Sequence, residues 1–230
     1  MRFKLGCCGF PCGMKEYFSQ FKLVEVQQTF YKMPKLDTAL RWRQQAPPGF
    51  EFSLKAWQLI THPSASPTYR KAGVKLPPGK EDYYGFFRPS SEVHQAWEET
   101  QKFARVLGAR VIVFQCPPSF GENRRNVSNM VRFFQSVGRT QFLFAWEPRG
   151  KWSEQTIKDL CCELGLIHCV DPFDRMPLYG QYQYFRLHGG TRYRHHYSKE
   201  ELEHLKDMVG DKQSYVLFNN INVAYNLLVF

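Results

Sequence analysis

Along the chain, short apolar runs rich in β-branched and aromatic residues alternate with stretches whose apolar residues recur at helical spacing. This is the pattern of repeated strand–helix units around a parallel sheet. Eight such runs stand out, at 3–8, 23–30, 50–56, 110–115, 141–147, 166–170, 183–188 and 214–219. Val93, Ala96, Trp97, Ala104 and Leu107 predict a helix capped by Ser90 or Ser91. Val127, Met130, Val131, Phe134 and Val137 predict a second, and Ile157, Leu160, Cys161 and Leu164 behind Ser153 a third. Ser198 and Glu201 form a capping box opening a helix with Leu202, Leu205 and Val209. The first helix is short, and segment 175–181 holds at most one turn. Segment 61–89, after the third run, is too long for an ordinary strand–helix connection and reads as a lid or binding loop. The expectation is an α/β fold: a single (β/α)₈ TIM barrel over residues 1–230, with trimmed helices and an insertion at 61–89.

A parallel barrel strand buries both faces, so a polar residue in it needs a partner or a purpose. Here polarity gathers at strand ends. With a period of two, Glu25, Gln27 and Thr29 share a face, as do Ser53 with Lys55, Ala145 with Glu147, and Tyr184 with Arg186 and His188. If these faces point inward, Gln27, Lys55, Gln115, Glu147, Arg186, His188 and Asn219 approach the C-terminal mouth, where barrel enzymes place their active sites. The alternative is a buried polar layer whose members satisfy one another, for instance a Glu25–Lys55 pair across adjacent strands.

Segment 188–197 interleaves basic and aromatic residues behind Gly189 and Gly190, and Arg192 lies within it. Barrels often bind phosphate at the loops after strands seven and eight, where glycines let backbone N–H groups approach and arginine adds bidentate contacts. A solvated loop is the plainer reading. Glu147 and Glu25 form a possible acid–base pair of the glycosidase kind. Glu147, Asp171 and His188 with a further carboxylate would suit a divalent metal, though no motif spacing links them. Lys55 as an imine-forming nucleophile needs a depressed pKa, which a neighbouring Glu25 would oppose, so a binding or structural lysine is the expectation. Cys7, Cys8 and Cys12 do not form a CxxC pair and read as buried thiols rather than as a metal or cluster site.

Composition and run length add four constraints. A hydrophobic fraction of 43% and aromatic fraction of 16% exclude a disordered chain. No apolar run nears the ~20 residues that span a bilayer, and the start lacks signal-peptide features. A cytoplasmic protein without membrane association is expected. The seven cysteines, two pairs of them adjacent, suit reduced thiols. The net charge of +10 favours anionic partners such as nucleic acid or sugar phosphates, without choosing among them.

Several segments together resemble the YecE-like family, catalogued as domain of unknown function seventy-two. They are Gly6 to Gly9, the run from Val24 through Gln27 to Tyr31, Phe50 to Ala56, Ile60-Thr61-His62, Gln115-Cys116-Pro117-Pro118-Ser119-Phe120, Trp146-Glu147-Pro148-Arg149, Tyr184 to Gly189 and Phe218-Asn219-Asn220. Cys8-Gly9-Phe10 stands where many bacterial members have Ser-Gly-Trp. The resemblance implies a TIM barrel and no particular activity.

The leading expectation is a hydrolase or lyase acting on a phosphate-bearing substrate. Arg186, Lys55, Gly189, Gly190 and Arg192 would hold the anion, Glu147 or His188 would move protons, and Gln27, Gln115 and Asn219 would orient the substrate. A non-catalytic nucleic-acid-binding protein and a carbohydrate-active enzyme are the alternatives.

Overall fold

Alternation along each strand decides which residues face the barrel axis, and so which can meet. In the computed structural model, which describes residues 3–138, 141–190 and 195–220, the strands are β1 (Phe3–Cys8), β2 (Leu23–Val26), β3 (Glu51–Lys55), β4 (Ala109–Gln115), β5 (Leu143–Glu147), β6 (Ile167–Val170), β7 (Gln183–Leu187) and β8 (Ser214–Phe218). They close in sequence order into a barrel in which every neighbouring pair is parallel. The helices are α1 (Met14–Gln20), α2 (Gln28–Tyr31), α3 (Leu36–Gln45), α4 (Gln58–Thr61), α5 (Pro67–Ala72), α6 (Ser91–Leu107), α7 (Arg124–Val137), α8 (Glu154–Leu164) and α9 (Lys199–Val209).

Two apolar clusters follow from the alternation. Leu23, Val111, Val113, Ala145, Ile167, Cys169, Tyr184, Tyr215 and Leu217 fill the barrel interior. Their strand neighbours Val24, Phe52, Leu54, Ile112, Phe114, Trp146, Phe185 and Val216 belong to the larger cluster under the helices. Two positions on from Leu23, Val113, Ala145, Tyr184 and Leu217, the interior set continues as Glu25, Gln115, Glu147, Arg186 and Asn219. The pattern therefore delivers the polar residues to the mouth. The predicted helices form α6 to α9, with Ser90, Ser153 and Ser198 as N-caps and the capping box in place.

Two expectations need correction and a third is narrowed. The run 23–30 is not one strand: β2 ends with the Val26–Leu54 pair. With no ladder partner beyond it, Gln27 turns into the helical region and α2 begins. Gln27 and Thr29 thus leave the face they were expected to share with Glu25, and the Thr29 hydroxyl donates instead to the Lys55 carbonyl at 2.7 Å. Segment 175–181 holds no helix among the described residues. Segment 61–89 is not a free lid. It carries α5 and a 3-10 turn at Glu81–Tyr83. The N–H groups of Gly85, Phe86 and Phe87 donate to the carbonyls of Leu59, Thr61 and Ile60, tying the segment onto α4.

No helix among the described residues is long and apolar enough to cross a membrane.

Candidate functional site

The C-terminal mouth of the barrel holds a cavity of about 530 Å³. Its wall includes Gln27, Phe30 and Tyr31 from the β2–α2 corner, Lys55 from β3, His62, Thr68 and Lys71 from the insertion, Gln115 from β4, Arg186 from β7, and Asn219 and Asn220 beyond β8. Among the described residues, no aspartate or glutamate lines it. Lys55 and Lys71 give the cavity a positive potential, concentrated by the apolar ring walls, while the charge of Arg186 is balanced from beneath by Glu25 and Glu147.

Beneath the cavity a polar chain crosses the barrel. Ser53 Oγ meets Tyr184 OH at 2.7 Å, and Tyr184 OH donates to Glu25 Oε2 at 2.9 Å. Arg186 Nη2 pairs with Glu25 Oε1 at 2.9 Å, while its Nη1 bonds Glu147 Oε2 and Gln115 Oε1. Glu147 Oε1 receives Arg149 Nε at 2.8 Å and lies 3.0 Å from His188 Nε2. Asn219 Nδ2 approaches His188 Nδ1 at 2.9 Å, and Arg149 Nη2 lies 2.7 Å from Nε2. The imidazole is held between a carboxylate, a guanidinium and an amide: Glu147 Oε1 can accept a proton carried on Nε2, while the Asn219 amide donates to Nδ1.

This chain redistributes the expected roles. Glu25 is fully buried and contacts Arg186, Tyr184 and Gln27, not the cavity. It does not face Glu147 across an open site: both carboxylates grip the same guanidinium, which is not the arrangement a glycosidase pair requires. The expected Glu25–Lys55 pair is absent too, because Arg186 reaches Glu25 through the barrel interior. Lys55 makes no ion pair among the described residues. Its ammonium sits 3.9 Å from the centre of the Phe30 ring.

The electrostatics follow from burial and these pairings. Burial alone would raise the Glu147 pKa, but Arg186, His188 and Arg149 hold it well below the carboxylate range. Glu147 is a fixed anion. Lys55 is pushed down to about 8, first by burial and then by Arg186, with Glu25 and Glu147 opposing. His62 is pushed down to about 3 by burial and by Lys55, so it is neutral, with Nδ1 2.8 Å from Thr61 Oγ1. Burial raises Asp171, whose carboxylate accepts from the N–H groups of Phe173 and His188.

On the far side of this chain, Glu147, Arg149, His168, Asp171, Asp174, Arg175 and His188 line a smaller space of about 100 Å³. A divalent metal held by Glu147, Asp171 and His188 would belong here. The donor set does not fit one. Glu147 is taken up by two guanidinium groups, and Asp171 is spent on backbone N–H groups. No group of three or more His, Cys, Asp or Glu side chains among the described residues is placed to hold a metal.

Gly189 departs from its expected part as well. Its N–H donates to Tyr197 OH at 3.0 Å, so it is not offered to a phosphate. A Cβ there would come within 2.8 Å of Asn220 Cβ at a φ of +70°, so close packing accounts for the glycine. Gly190 is exposed and outside the cavity wall, and Arg192 lies outside the described residues. The seven cysteines are all free. Cys8 alone of them lines the mouth cavity, its thiol pKa raised by burial and by Glu25.

The structure also brings in residues that strand-end reasoning passed over: Phe30, Tyr31, His62 and Asn220 in the wall, and Arg149 behind it. Arg149 had a signal, since it stands two residues past Glu147 in the segment that carries the family resemblance. His62 follows a one-turn helix, where no periodicity marks it.

Comparison with known proteins agrees with this architecture. A family model described as "Protein of unknown function DUF72" matches residues 11–226. The UPF0759 protein YunF of Bacillus subtilis (strain 168) is 24% identical over 242 residues, covering 90% of this chain and 80% of YunF. A crystal structure of a DUF72 family protein from Enterococcus faecalis V583 superposes with a TM-score of 0.72 at 19% identity, covering 99% of this chain and 93% of that one. Endonuclease IV from Thermus thermophilus shares the fold with a TM-score of 0.52 at 10% identity, covering 99% and 97%. With the model match spanning nearly the whole barrel, the chain belongs to the DUF72 family, the YecE-like TIM-barrel proteins.

Proposed function

We propose that the chain is an enzyme, a lyase or hydrolase, that binds a phosphate-bearing substrate in the mouth cavity. One observation carries this reading: among the described residues, three basic side chains and no acidic one line a cavity of about 530 Å³, and the ammonium of Lys55 within it has no ion-pair partner. A buried cation without a counter-charge costs free energy, and an incoming anion relieves that cost. Lys55 and the exposed Lys71 would hold the phosphate, while Gln27, Gln115 and Asn219 orient the remainder. His188 is the group that would move a proton, with ionised Glu147 and Asn219 fixing its ring. Arg186, locked to two carboxylates, would set the floor and lend its remaining field.

Calorimetric titration with inorganic phosphate tests the reading. Lys55→Met is expected to weaken binding at least about tenfold, the order of one charge-assisted contact. Equal affinity in the variant and the parent would overturn it.

A second reading, binding of a nucleic-acid strand, is favoured by a separate cleft of about 400 Å³ lined by Arg88, Arg125 and Arg132 together with Ser128 and Asn129, with Asp82 at its edge. α7 follows β4, so the first turns of α7 stand at the same end of the barrel as the mouth. Oligonucleotide affinity that falls steeply with salt, less steeply after Arg125→Gln with Arg132→Gln, would support it. A shallow, unchanged salt response would not.

A further inference from the structure

Lys55 is unusual in this molecule. It is only 6% exposed, ends β3 at the barrel mouth, and lines the mouth cavity above the polar chain, yet among the described residues no carboxylate pairs with it. The charged groups that bear on it come from several elements: Arg186 of β7, Glu25 of β2 and Glu147 of β5, with the Cys8 thiol of β1 close by. Arg186 has already claimed both carboxylates. The amine sits over a ring, 3.9 Å from the centre of Phe30, against which neutral His62 also packs at 4.8 Å between ring centres.

Such a lysine can do more than attract an anion. We infer that Lys55 is a carbonyl-reactive amine, forming an imine with the aldehyde or keto group of a phosphate-bearing substrate held in the mouth cavity. This deepens the anion-pocket reading and rests on it. Charged Lys55 and Lys71 together would draw the free anion in; once the imine forms, the phosphate would rest on Lys71 at the cavity opening, with the carbonyl carbon against Lys55 Nζ.

The chemistry balances within the amine, the carbonyl and water. The Nζ lone pair attacks the carbonyl carbon, forming a C–N bond. The π pair moves to oxygen, which takes up a proton as Nζ gives one to solvent, leaving a carbinolamine. Nζ then expels that hydroxyl as water, with a proton from solvent, and the second Nζ proton departs to leave a neutral imine. One amine and one carbonyl yield one imine and one water, and hydrolysis reverses the sequence.

Burial also makes the nucleophile available. With its pKa near 8, roughly a tenth of Lys55 is uncharged at neutral pH, against under about a thousandth for an ordinary lysine. The counter-argument drawn from the sequence, that Glu25 would keep the lysine charged, loses its force because Arg186 holds Glu25.

Borohydride trapping decides the matter without requiring a known substrate. The full chain is incubated with a sub-stoichiometric amount of pyridoxal phosphate, an aldehyde bearing phosphate, or with pyridoxal, which lacks it. The imine is reduced to a secondary amine and located by peptide mass spectrometry. Lys55 is expected to carry most of the pyridoxal phosphate label, at least about fivefold more than with pyridoxal, and inorganic phosphate is expected to protect it. Lys55→Arg, which keeps the charge, is expected to abolish the label at this position. If both aldehydes label Lys55 equally and phosphate does not protect it, the amine is reactive but the anion pocket is refuted. Label spread over surface lysines with Lys55 untouched, in protein that still binds inorganic phosphate, overturns the imine alone. The wild-type map gives these answers even if a variant fails to fold.

Discussion

Arg186 and Lys55 stand side by side in the barrel mouth, and their opposite circumstances set what each contributes. Arg186 is 1% exposed and neutralised by Glu25 and Glu147. Removing it as Arg186→Met leaves buried Glu25 without its counter-charge and Glu147 with Arg149 alone, a loss of roughly 3–5 kcal/mol that chemical denaturation would read. Lys55→Met should act in the other direction. The folded pKa of Lys55, about 8, lies below its ordinary value of 10.5, so the folded state carries fewer protons between those values and stability rises with pH across that window. Below the folded value the cost is fully present, on the order of 3 kcal/mol before relaxation. The variant should therefore be more stable than the parent near pH 7, with the gap closing as pH rises from about 8 toward 10.5. A variant less stable than the parent at neutral pH would mean that the stacking on Phe30 outweighs the missing counter-charge.

Among the elements, α4 and the segment that docks on it decide the shape of the cavity wall. All four residues of α4 are buried, and His62 follows directly. Gly85 lies against the His62 carbonyl, where an added Cβ would come within 2.1 Å at a φ of +76°. Phe86 and Phe87 continue with φ of 55° and 51°, in a left-handed region that costs such residues about 1–2 kcal/mol each. Three backbone hydrogen bonds to α4 and the packing of Phe87 on Phe114, Phe133 and Phe134 hold this conformation. Gly85→Ala should push His62 and α4 away from the cavity. Hydrogen exchange over 58–63 would then speed up and phosphate affinity would fall by several-fold, while exchange in β5 to β8 stays as it was. Unchanged exchange over 58–63 would show that the wall does not depend on this contact.

At the scale of the whole molecule, the barrel was readable from the sequence because every strand buries two faces and so announces itself as an apolar run. The inward register was readable because polarity broke that run only near its end, at Glu25, Lys55, Gln115, Glu147 and Arg186. The pairing of these residues was not readable. Sequence neighbours suggested that Glu25 on β2 would meet Lys55 on β3, whereas the longer Arg186 side chain crosses the interior from β7 and takes both glutamates. The Gly189-Gly190 pair suggested a phosphate loop, but a glycine required by close packing against Asn220 looks the same in a sequence as one required by a ligand. The insertion was recognisable by its length and its lysines, Lys71 among them, whereas the contribution of His62 and Thr68 to the wall emerged only with the fold.

The claim on which the account turns is that an anion belongs in the mouth of the barrel. Its most direct test is to soak crystals of the chain with tungstate, a heavy tetrahedral oxyanion of phosphate shape, and to locate it by anomalous scattering. The account predicts a peak within hydrogen-bonding reach of Lys55 Nζ, between Phe30, Gln115 and Asn219. A peak confined to the Arg88, Arg125 and Arg132 cleft, with none in the mouth, would contradict it.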